Sequence, residues 1–242
     1  MTRRLTASAM VLALAACSPK PAEPPKAAAP AAAPAPVAGE PVVAGMPAKT
    51  DAPAGVYKLD PAHTTLNFKL SHLGFSNFTS RFTRIEATLN FDPANPAAMS
   101  VEATIDPKSL DLIAPPPGFH DSLTGKGFLD AAAFPTIRFK STKVEKTGPN
   151  TANVTGDLTL HGVSRPIVLA VTFNGGYPAN PYDGARVGFS AATVFKRSDF
   201  GVGAGLPAPG ANMGVGDHIT VVIETEFGSG KPTAGAPPPP PA

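Results

Sequence analysis

The central part of this chain carries repeated runs in which apolar and polar residues alternate. In the first run, residues 65–72 (TLNFKLSH), Leu66, Phe68 and Leu70 share one parity, and His72 ends the run on the same parity. A period of two places one face of a β-strand against apolar material and the opposite face against water. The run therefore predicts a half-buried strand whose inward side chains are mostly large and apolar.

Seven further alternating runs follow, and turn residues such as Asp92-Pro93 and Asp106-Pro107 separate them. They occupy residues 85–91, 99–105, 137–139, 154–160, 167–173, 187–195 and 219–227. Residues 119–128 could hold one short helix, and the sequence offers no long amphipathic one. Eight short strands with intervening turns predict an all-β antiparallel sandwich or barrel. An eight-stranded barrel is either filled by its own side chains or holds one small ligand.

The inward parity of these runs contains several small residues. They are Ala87, Ala103, Gly156, Ala191 and Thr193. Small inward residues leave volume unfilled, and an empty void inside a domain costs stability unless something occupies it. The pattern favours an internal cavity, although neighbouring large side chains could fill the same space.

Three phenylalanines follow the first strand within eight residues. Phe75, Phe78 and Phe82 lie in a Gly-containing segment outside a strict strand pattern, where a surface turn would carry fewer aromatic residues. They could cap a core or line the entrance to a cavity.

The first residues of the chain have the design of a secretory signal. A basic region with Arg3 and Arg4 precedes a short apolar run and small residues, which predicts a signal peptide over residues 1–16. Leu14-Ala15-Ala16-Cys17 resembles a bacterial lipobox, whose cysteine becomes lipidated. An ordinary signal peptide with a stray cysteine is the alternative. The resemblance implies a periplasm-facing lipoprotein. By resemblance to known sorting signals, Ser18 favours anchoring in the outer membrane over retention in the inner membrane.

Composition divides the rest of the chain. Ten of the thirty prolines lie within residues 1–56, which have no aromatic residue. We expect residues 17–56 to form a disordered linker behind Cys17, residues 57–228 to form the barrel, and residues 229–242 to form a disordered Pro-rich tail. Without the arginines of the signal, 18 basic residues balance 18 acidic ones. A neutral chain with no basic tract argues against nucleic-acid binding.

Six segments in series resemble the YceI-like, or polyisoprenoid-binding, periplasmic domains. They are residues 68–82 (FKLSHLGFSNFTSRF), 120–130, 134–139 (FPTIRF), 158–166 (LTLHGVSRP), 197–201 (RSDFG) and 219–227. The resemblance implies an eight-stranded antiparallel, lipocalin-like barrel around a long apolar tunnel. It also implies non-catalytic binding of an isoprenoid, quinone-like or fatty-acid-derived lipid. Residues 201–216 depart from the family by their Gly, Ala and Pro content, in a loop expected near the tunnel mouth.

This reading assigns the tunnel lining and mouth to thirteen residues. They are Phe68, Leu70, His72, Phe75, Phe78, Phe82, Leu89, Ile137, Phe139, Leu158, Phe189, Phe195 and Arg197. Ordinary core is the alternative for any one aromatic residue. Arg197 or Lys126 could bind the head group of the ligand. Alternatively, Arg197 and Asp199 could stabilise a turn. His120 and Asp121 are also expected near the mouth, whereas His161 is expected to serve a turn.

No cofactor and no metal site are predicted. The five histidines show no short ligand spacing, and neither HExxH nor GxSxG occurs. Three hypotheses remain: a lipid carrier, an enzyme acting on an amphiphile through His72 or through His120 with Asp121, and a filled barrel that works through protein contacts. The sequence leaves open whether the protein is a monomer or a homodimer.

Overall fold

The computed structural model describes residues 50–211 and 213–230, and this part of the chain is almost entirely β-structure. Its strands are β1 Gly55–Leu59, β2 Thr65–His72, β3 Ser76–Phe82, β4 Ile85–Phe91, β5 Ser100–Ile105, β6 Leu110–Asp111, β7 Ile137–Lys146, β8 Thr151–Leu160, β9 Val163–Tyr177, β10 Arg186–Lys196 and β11 His218–Gly228. The α-helix in this part, α1, is Phe119–Thr124. Short 3-10 turns occupy Pro61–His63, Pro96–Ala98, Pro107–Ser109 and Arg197–Phe200. None of the helices described combines the length and apolar character that a bilayer crossing requires.

Eight of the strands close into an antiparallel barrel. They follow one another in the order β1-β4-β5-β7-β8-β9-β10-β11, and Leu59 of β1 pairs with Phe227 of β11 to complete the ring. Strand β11 also pairs with β2 through residues 220–224, and β3 and β6 extend the sheet outward from β2. The predicted all-β, eight-stranded antiparallel barrel is confirmed, with β2, β3 and β6 as a branch from β11.

Strand β3 lies in the phenylalanine-containing segment whose sequence shows no strict alternation. Phe78, Ser80 and Phe82 share the inward parity, so the polar residue between the two aromatic ones hides the alternation. Ser80 is buried, and its hydroxyl donates a hydrogen bond to the backbone carbonyl of Asp111 on β6. The long-range partner of Ser80 explains why a polar side chain is tolerated at an inward position of a strand.

Both ends of the barrel domain differ from the predicted boundaries. Residues 50–56, assigned above to the linker, lie against the barrel: Thr50 bridges to Gly176, and Ala52 is buried. At the other end, Ser229 of the predicted tail exchanges two hydrogen bonds with Ala185. The predicted signal peptide, Cys17 and most of the linker and tail lie outside the described residues.

Candidate functional site

A cavity of about 970 Å³ occupies the interior of the barrel. Every strand contributes to its wall, from Leu59 on β1 to Ile219 on β11. It reaches from the β2–β3 turn, where His72 and Ser76 line it, to the opposite end, where Phe91 and Lys146 line it. Cavities that hold drug-sized molecules have about 300–1,000 Å³, so this one is large enough for a long-chain ligand.

Four of the five small inward residues help to keep the cavity open. Ala87, Ala103, Ala191 and Thr193 all line it. Gly156 does not, because the ring of Phe139 lies over it: a Cβ at residue 156 would come within 2.4 Å of Phe139 Cζ. Gly156 therefore makes room for an aromatic ring rather than for a ligand.

One end of the cavity is walled by a cluster of phenylalanines from four strands. The rings of Phe173 and Phe189 lie 5.3 Å apart, and Phe91 lies 5.9 Å from Phe173 and 6.4 Å from Phe189. Phe227 extends the cluster with its centroid 6.2 Å from Phe189. Such edge and tilted contacts stabilise the rings beyond the area they bury, which makes this wall rigid and apolar.

All the predicted lining residues except Phe75 lie on the cavity wall. Phe68 and Phe82 stack there at a centroid distance of 5.5 Å. The others on the wall are Leu70, His72, Phe78, Leu89, Ile137, Phe139, Leu158, Phe189, Phe195 and Arg197. The structure thus brings these twelve side chains together around one space.

Phe75 lies outside the cavity, with 81 % of its surface exposed. Leu73 and Gly74 both have positive φ, at 55° and 72°, and the Phe75 amide donates to the His72 carbonyl. This tight three-residue turn directs Phe75 to solvent, so Phe75 does not line the cavity.

Arg197 is buried and binds the backbone rather than an acidic side chain. Its Nε donates to the carbonyl of Gly216 at 2.9 Å, and Nη2 donates to Val215 at 2.8 Å. Its Nη1 donates to the carbonyls of Val202 at 2.9 Å and Ala204 at 2.8 Å. Burial lowers the pKa of the guanidinium from its ordinary value. Arg197 therefore holds two segments of the loop before β11 together, as the turn interpretation anticipated.

The carboxylate that supports this turn is Asp217 rather than Asp199. Asp217 accepts hydrogen bonds from the backbone amide of Ser198 at 3.0 Å and from its hydroxyl at 2.8 Å. Asp199 contributes its backbone carbonyl, which accepts from Arg165 Nε at 3.4 Å. The position of the acidic partner depends on how β11 returns to the turn, which local sequence does not reveal.

The other polar residues expected at the mouth do not line the cavity. His120 and Asp121 lie on α1, whose Phe119 and Leu123 face the cavity instead, and Asp121 is exposed. Lys126 is exposed as well. His161 occupies a positive-φ turn with its ring 4.7 Å from that of Phe134, which fits a structural role.

Thr193 is the buried polar residue that stands out on the cavity wall. The buried polar side chains in the described ranges are Ser80, Ser109, Thr193 and Arg197. Of these four, Thr193 alone has a side-chain oxygen without a hydrogen-bond partner among the described residues.

A cluster of charges lies at the end of the barrel where β1 meets β11. Arg186 Nη1 contacts Asp60 at 2.6 Å and Glu226 at 3.1 Å, and Arg186 Nε pairs with Asp183. Hydrogen bonds from Arg186 and His63 hold the pKa of the Asp60 carboxyl well below its usual range. Asp60, His63 and Glu226 lie close enough to share a metal ion. The Arg186 guanidinium already contacts Asp60 and Glu226 and supplies a positive charge there.

Several cavity-lining residues were absent from the predicted set. They are chiefly Ile113, Phe119, Leu123 and Phe128 near the β2–β3 end, and Phe91, Phe173 and Phe227 at the other end. The last three already occupied inward positions of predicted strands, so strand parity alone could have identified them. The first four lie in the irregular segment around α1, where no periodic pattern exists to use.

Comparison with known proteins agrees with this architecture. Residues 57–227 match the family model for the YceI-like domain. A UPF0312 protein of Pseudomonas savastanoi is 39 % identical over 153 residues, covering 62 % of this chain and 78 % of the relative. A UPF0312 protein of Vibrio cholerae is 37 % identical over 177 residues, covering 72 % and 88 %.

Solved structures share the fold. The crystal structure of Burkholderia cenocepacia BcnA matches with a TM-score of 0.59 and 28 % identity, covering 69 % of this chain and 98 % of that one. A polyisoprenoid binding domain from Saccharophagus degradans matches with a TM-score of 0.52 and 14 % identity, covering 71 % and 97 %. A closed antiparallel barrel with an apolar interior, matched by a family model over nearly all of the barrel, places this chain in the YceI-like domain family.

Proposed function

We propose that this protein binds one long-chain isoprenoid or similar amphiphilic lipid in its barrel, and sequesters or transports it in the periplasm without chemical change. The observation that carries the proposal is the continuous apolar cavity of about 970 Å³. The description of the Saccharophagus degradans domain as polyisoprenoid-binding supports the choice of ligand through the shared fold.

The apolar wall sets a minimum length for the ligand. Burying a methylene contributes roughly 0.8 kcal/mol, so ten carbons contribute about 8 kcal/mol. This gain corresponds to about micromolar affinity before the costs of association are subtracted. Tails of more than ten carbons are found in polyprenyl lipids, in quinones and in long-chain acyl lipids. A cavity that spans the barrel from end to end offers such tails space.

The chemistry of the cavity wall supports a non-catalytic role. Among the described residues that line it, the titratable side chains are His72, Lys146 and Arg197, with no carboxylate. His72 and Lys146 lie toward opposite ends, and Arg197 is held by backbone carbonyls. Of the two options in the enzyme hypothesis, the pair His120 and Asp121 lies off the wall, and His72 lies on it without a carboxylate beside it on the wall. General acid–base catalysis needs groups within hydrogen-bond reach of a bound substrate.

The test compares two substitutions at neighbouring alanines of β10. Ala191 lines the cavity, whereas Ala192 has the opposite parity and pairs with Ala170 and Val222. We expect Ala191→Phe to weaken binding of a C20 prenol at least tenfold, about 1.4 kcal/mol, because the ring takes the ligand's space. Ala192→Phe should leave binding unchanged. Native mass spectrometry with lipid extraction would measure both, and unmodified lipid should be recovered.

Equal binding by Ala191→Phe and the parent protein would contradict the cavity as the binding site. Recovery of a chemically altered lipid would favour the enzyme alternative. A protein that takes up no supplied lipid would favour the third hypothesis, a barrel acting through protein contacts.

We also propose that Cys17 anchors the protein to the outer membrane by its lipid. The support is the lipobox-like sequence Leu14-Ala15-Ala16-Cys17. Cys17→Ala should move the protein from the membrane fraction to the soluble periplasmic fraction, as measured by cell fractionation and immunoblotting. A variant that stays with the membrane would contradict lipidation, and Ser18→Ala is the matched control for a change beside the cysteine.

A further inference from the structure

Thr193 is a buried hydroxyl in an apolar surrounding. It shares the inward parity of β10 with Phe189, Ala191 and Phe195, all of which line the cavity, and only 4 % of its surface is exposed. Its cross-strand neighbour on β11 is Val221. The side chain therefore stands on a wall built of hydrocarbon groups.

The hydroxyl of Thr193 has no hydrogen-bond partner among the described residues. Leaving a buried hydroxyl unpaired is unfavourable, and proteins generally avoid it. The other buried hydroxyls follow this rule: Ser80 donates to the Asp111 carbonyl, and Ser109 donates to the Asp106 carbonyl at 2.7 Å. Thr193 is thus a polar group kept at a position that valine would fill with the same shape.

The surroundings of Thr193 define the chemistry of a partner. Full charges are costly to bury among apolar side chains, so the partner is a neutral group. Arg197, four residues further along the chain, also lines the cavity, and its positive charge is met by carbonyl dipoles. A positive charge at that end favours an oxygen atom with partial negative charge.

The position of Thr193 along the strand also limits the ligand. It lies four residues after Phe189 on the same strand, which is about 13 Å at roughly 3.3 Å per residue. An oxygen bound at Thr193 leaves that length of apolar cavity for a hydrocarbon tail, ending at Phe91, Phe173 and Phe189.

We propose that Thr193 binds the neutral oxygen of the ligand's end group, a hydroxyl or carbonyl, and that the cavity therefore takes a prenol or prenylated quinone with its polar end inside. This inference rests on the proposed function. The Thr193 oxygen is shielded from water, and rotation about χ1 between staggered rotamers turns it toward the ligand. A prenyl diphosphate, in contrast, keeps its charged group out of this position.

The experiment uses the purified full-length protein and three C20 probes with the same carbon skeleton. These are geranylgeraniol, the corresponding hydrocarbon without the hydroxyl, and geranylgeranyl diphosphate. Their affinities are measured by displacement of the fluorescent hydrocarbon diphenylhexatriene from the parent protein, Thr193→Val and Thr193→Ser. Valine removes the hydroxyl at nearly constant shape, and serine keeps it. Thermal unfolding verifies that each variant is folded.

The parent protein should bind geranylgeraniol about fivefold to tenfold more tightly than the hydrocarbon, the effect of about one hydrogen bond. Thr193→Val should abolish this preference while leaving the affinities for the hydrocarbon and the diphosphate unchanged, and Thr193→Ser should retain it. Equal binding of alcohol and hydrocarbon by the parent protein overturns the inference but leaves the proposed function intact. A Thr193→Val variant that still binds geranylgeraniol more tightly than the hydrocarbon also overturns the inference and leaves the proposed function intact. Failure to bind diphenylhexatriene and every probe overturns the proposed function itself.

Discussion

Two arginines of one strand region show opposite ways to accommodate a positive charge. Arg186 begins β10 and is surrounded by the carboxylates of Asp60, Asp183 and Glu226. Arg197 follows the end of the same strand and donates four hydrogen bonds to backbone carbonyls, with its side chain buried. The first arginine forms ion pairs with carboxylates, whereas the side-chain hydrogen bonds of the second go to backbone carbonyls.

The difference separates the two ends of the barrel. At the Arg186 end, charged side chains from β10, β11 and the turn after β1 join the strands that close the ring. At the Arg197 end, one side chain donates four hydrogen bonds to carbonyls of a loop rich in Gly, Ala and Pro, and the same arginine lines the cavity. We infer that the contribution of the Arg186 end to the free energy of unfolding depends on pH and salt. The contribution of the Arg197 end depends on hydrogen-bond geometry.

Loss of Arg197 should have the largest effect on stability. Arg197→Met removes four hydrogen bonds and leaves four carbonyls to find other partners, so we expect a loss of about 3–5 kcal/mol in the free energy of unfolding. Arg197→Lys should recover only part of it, because one ammonium cannot reproduce the geometry of the planar fork. Urea denaturation would measure both variants. Full recovery by lysine would show that charge rather than geometry matters there.

Loss of Arg186 should have a smaller effect. Its side chain is 24 % exposed, and solvent weakens such ion pairs. We expect Arg186→Met to lower the free energy of unfolding by about 1–2 kcal/mol, and the loss should shrink as salt concentration rises. A cost equal to that of Arg197→Met, or one insensitive to salt, would break the contrast between the two ends.

The pH dependence of the Arg186 end should be the smallest effect. The pKa of Asp60 is lowered by Arg186 and His63, so its contribution is present above the unfolded-state pKa of about 3.9 and is lost as pH falls through the lower folded-state value. Asp60→Asn should therefore be less stable than the parent protein at pH 7, and the two should converge in strong acid. Denaturation at pH 7 and pH 2.5 would test this, with Asp92→Asn, in the turn after β4, as the control. If the stability difference between Asp60→Asn and the parent protein widened in acid, the predicted direction of the pH dependence would be wrong.

Much of the barrel follows from residue alternation, because inward and outward faces differ wherever water lies on one side. Phe68 and Leu70 could be assigned in this way, and so could Phe189 and Phe195. The alternation failed at Ser80, whose burial depends on a carbonyl thirty-one residues away.

The remaining parts of the site depend on contacts that are distant in sequence or on local turn geometry. Phe75 points outward because two positive-φ residues precede it. Arg197 takes its carbonyl partners from two separate loop segments. The unpaired hydroxyl of Thr193 becomes visible only when all its neighbours are in place. Composition and periodicity cannot report such contacts.

The ring of Phe139 lies over Gly156, and this contact has a consequence for the width of the barrel. A methyl group at residue 156 would also come within 2.6 Å of the Lys140 carbonyl, so neither the backbone nor the ring could remain in place. The ring would swing inward and narrow the bore. The missing side chain at residue 156 thus sets the width of the bore beside Phe139, and we expect any other residue there to leave less free space in the cavity.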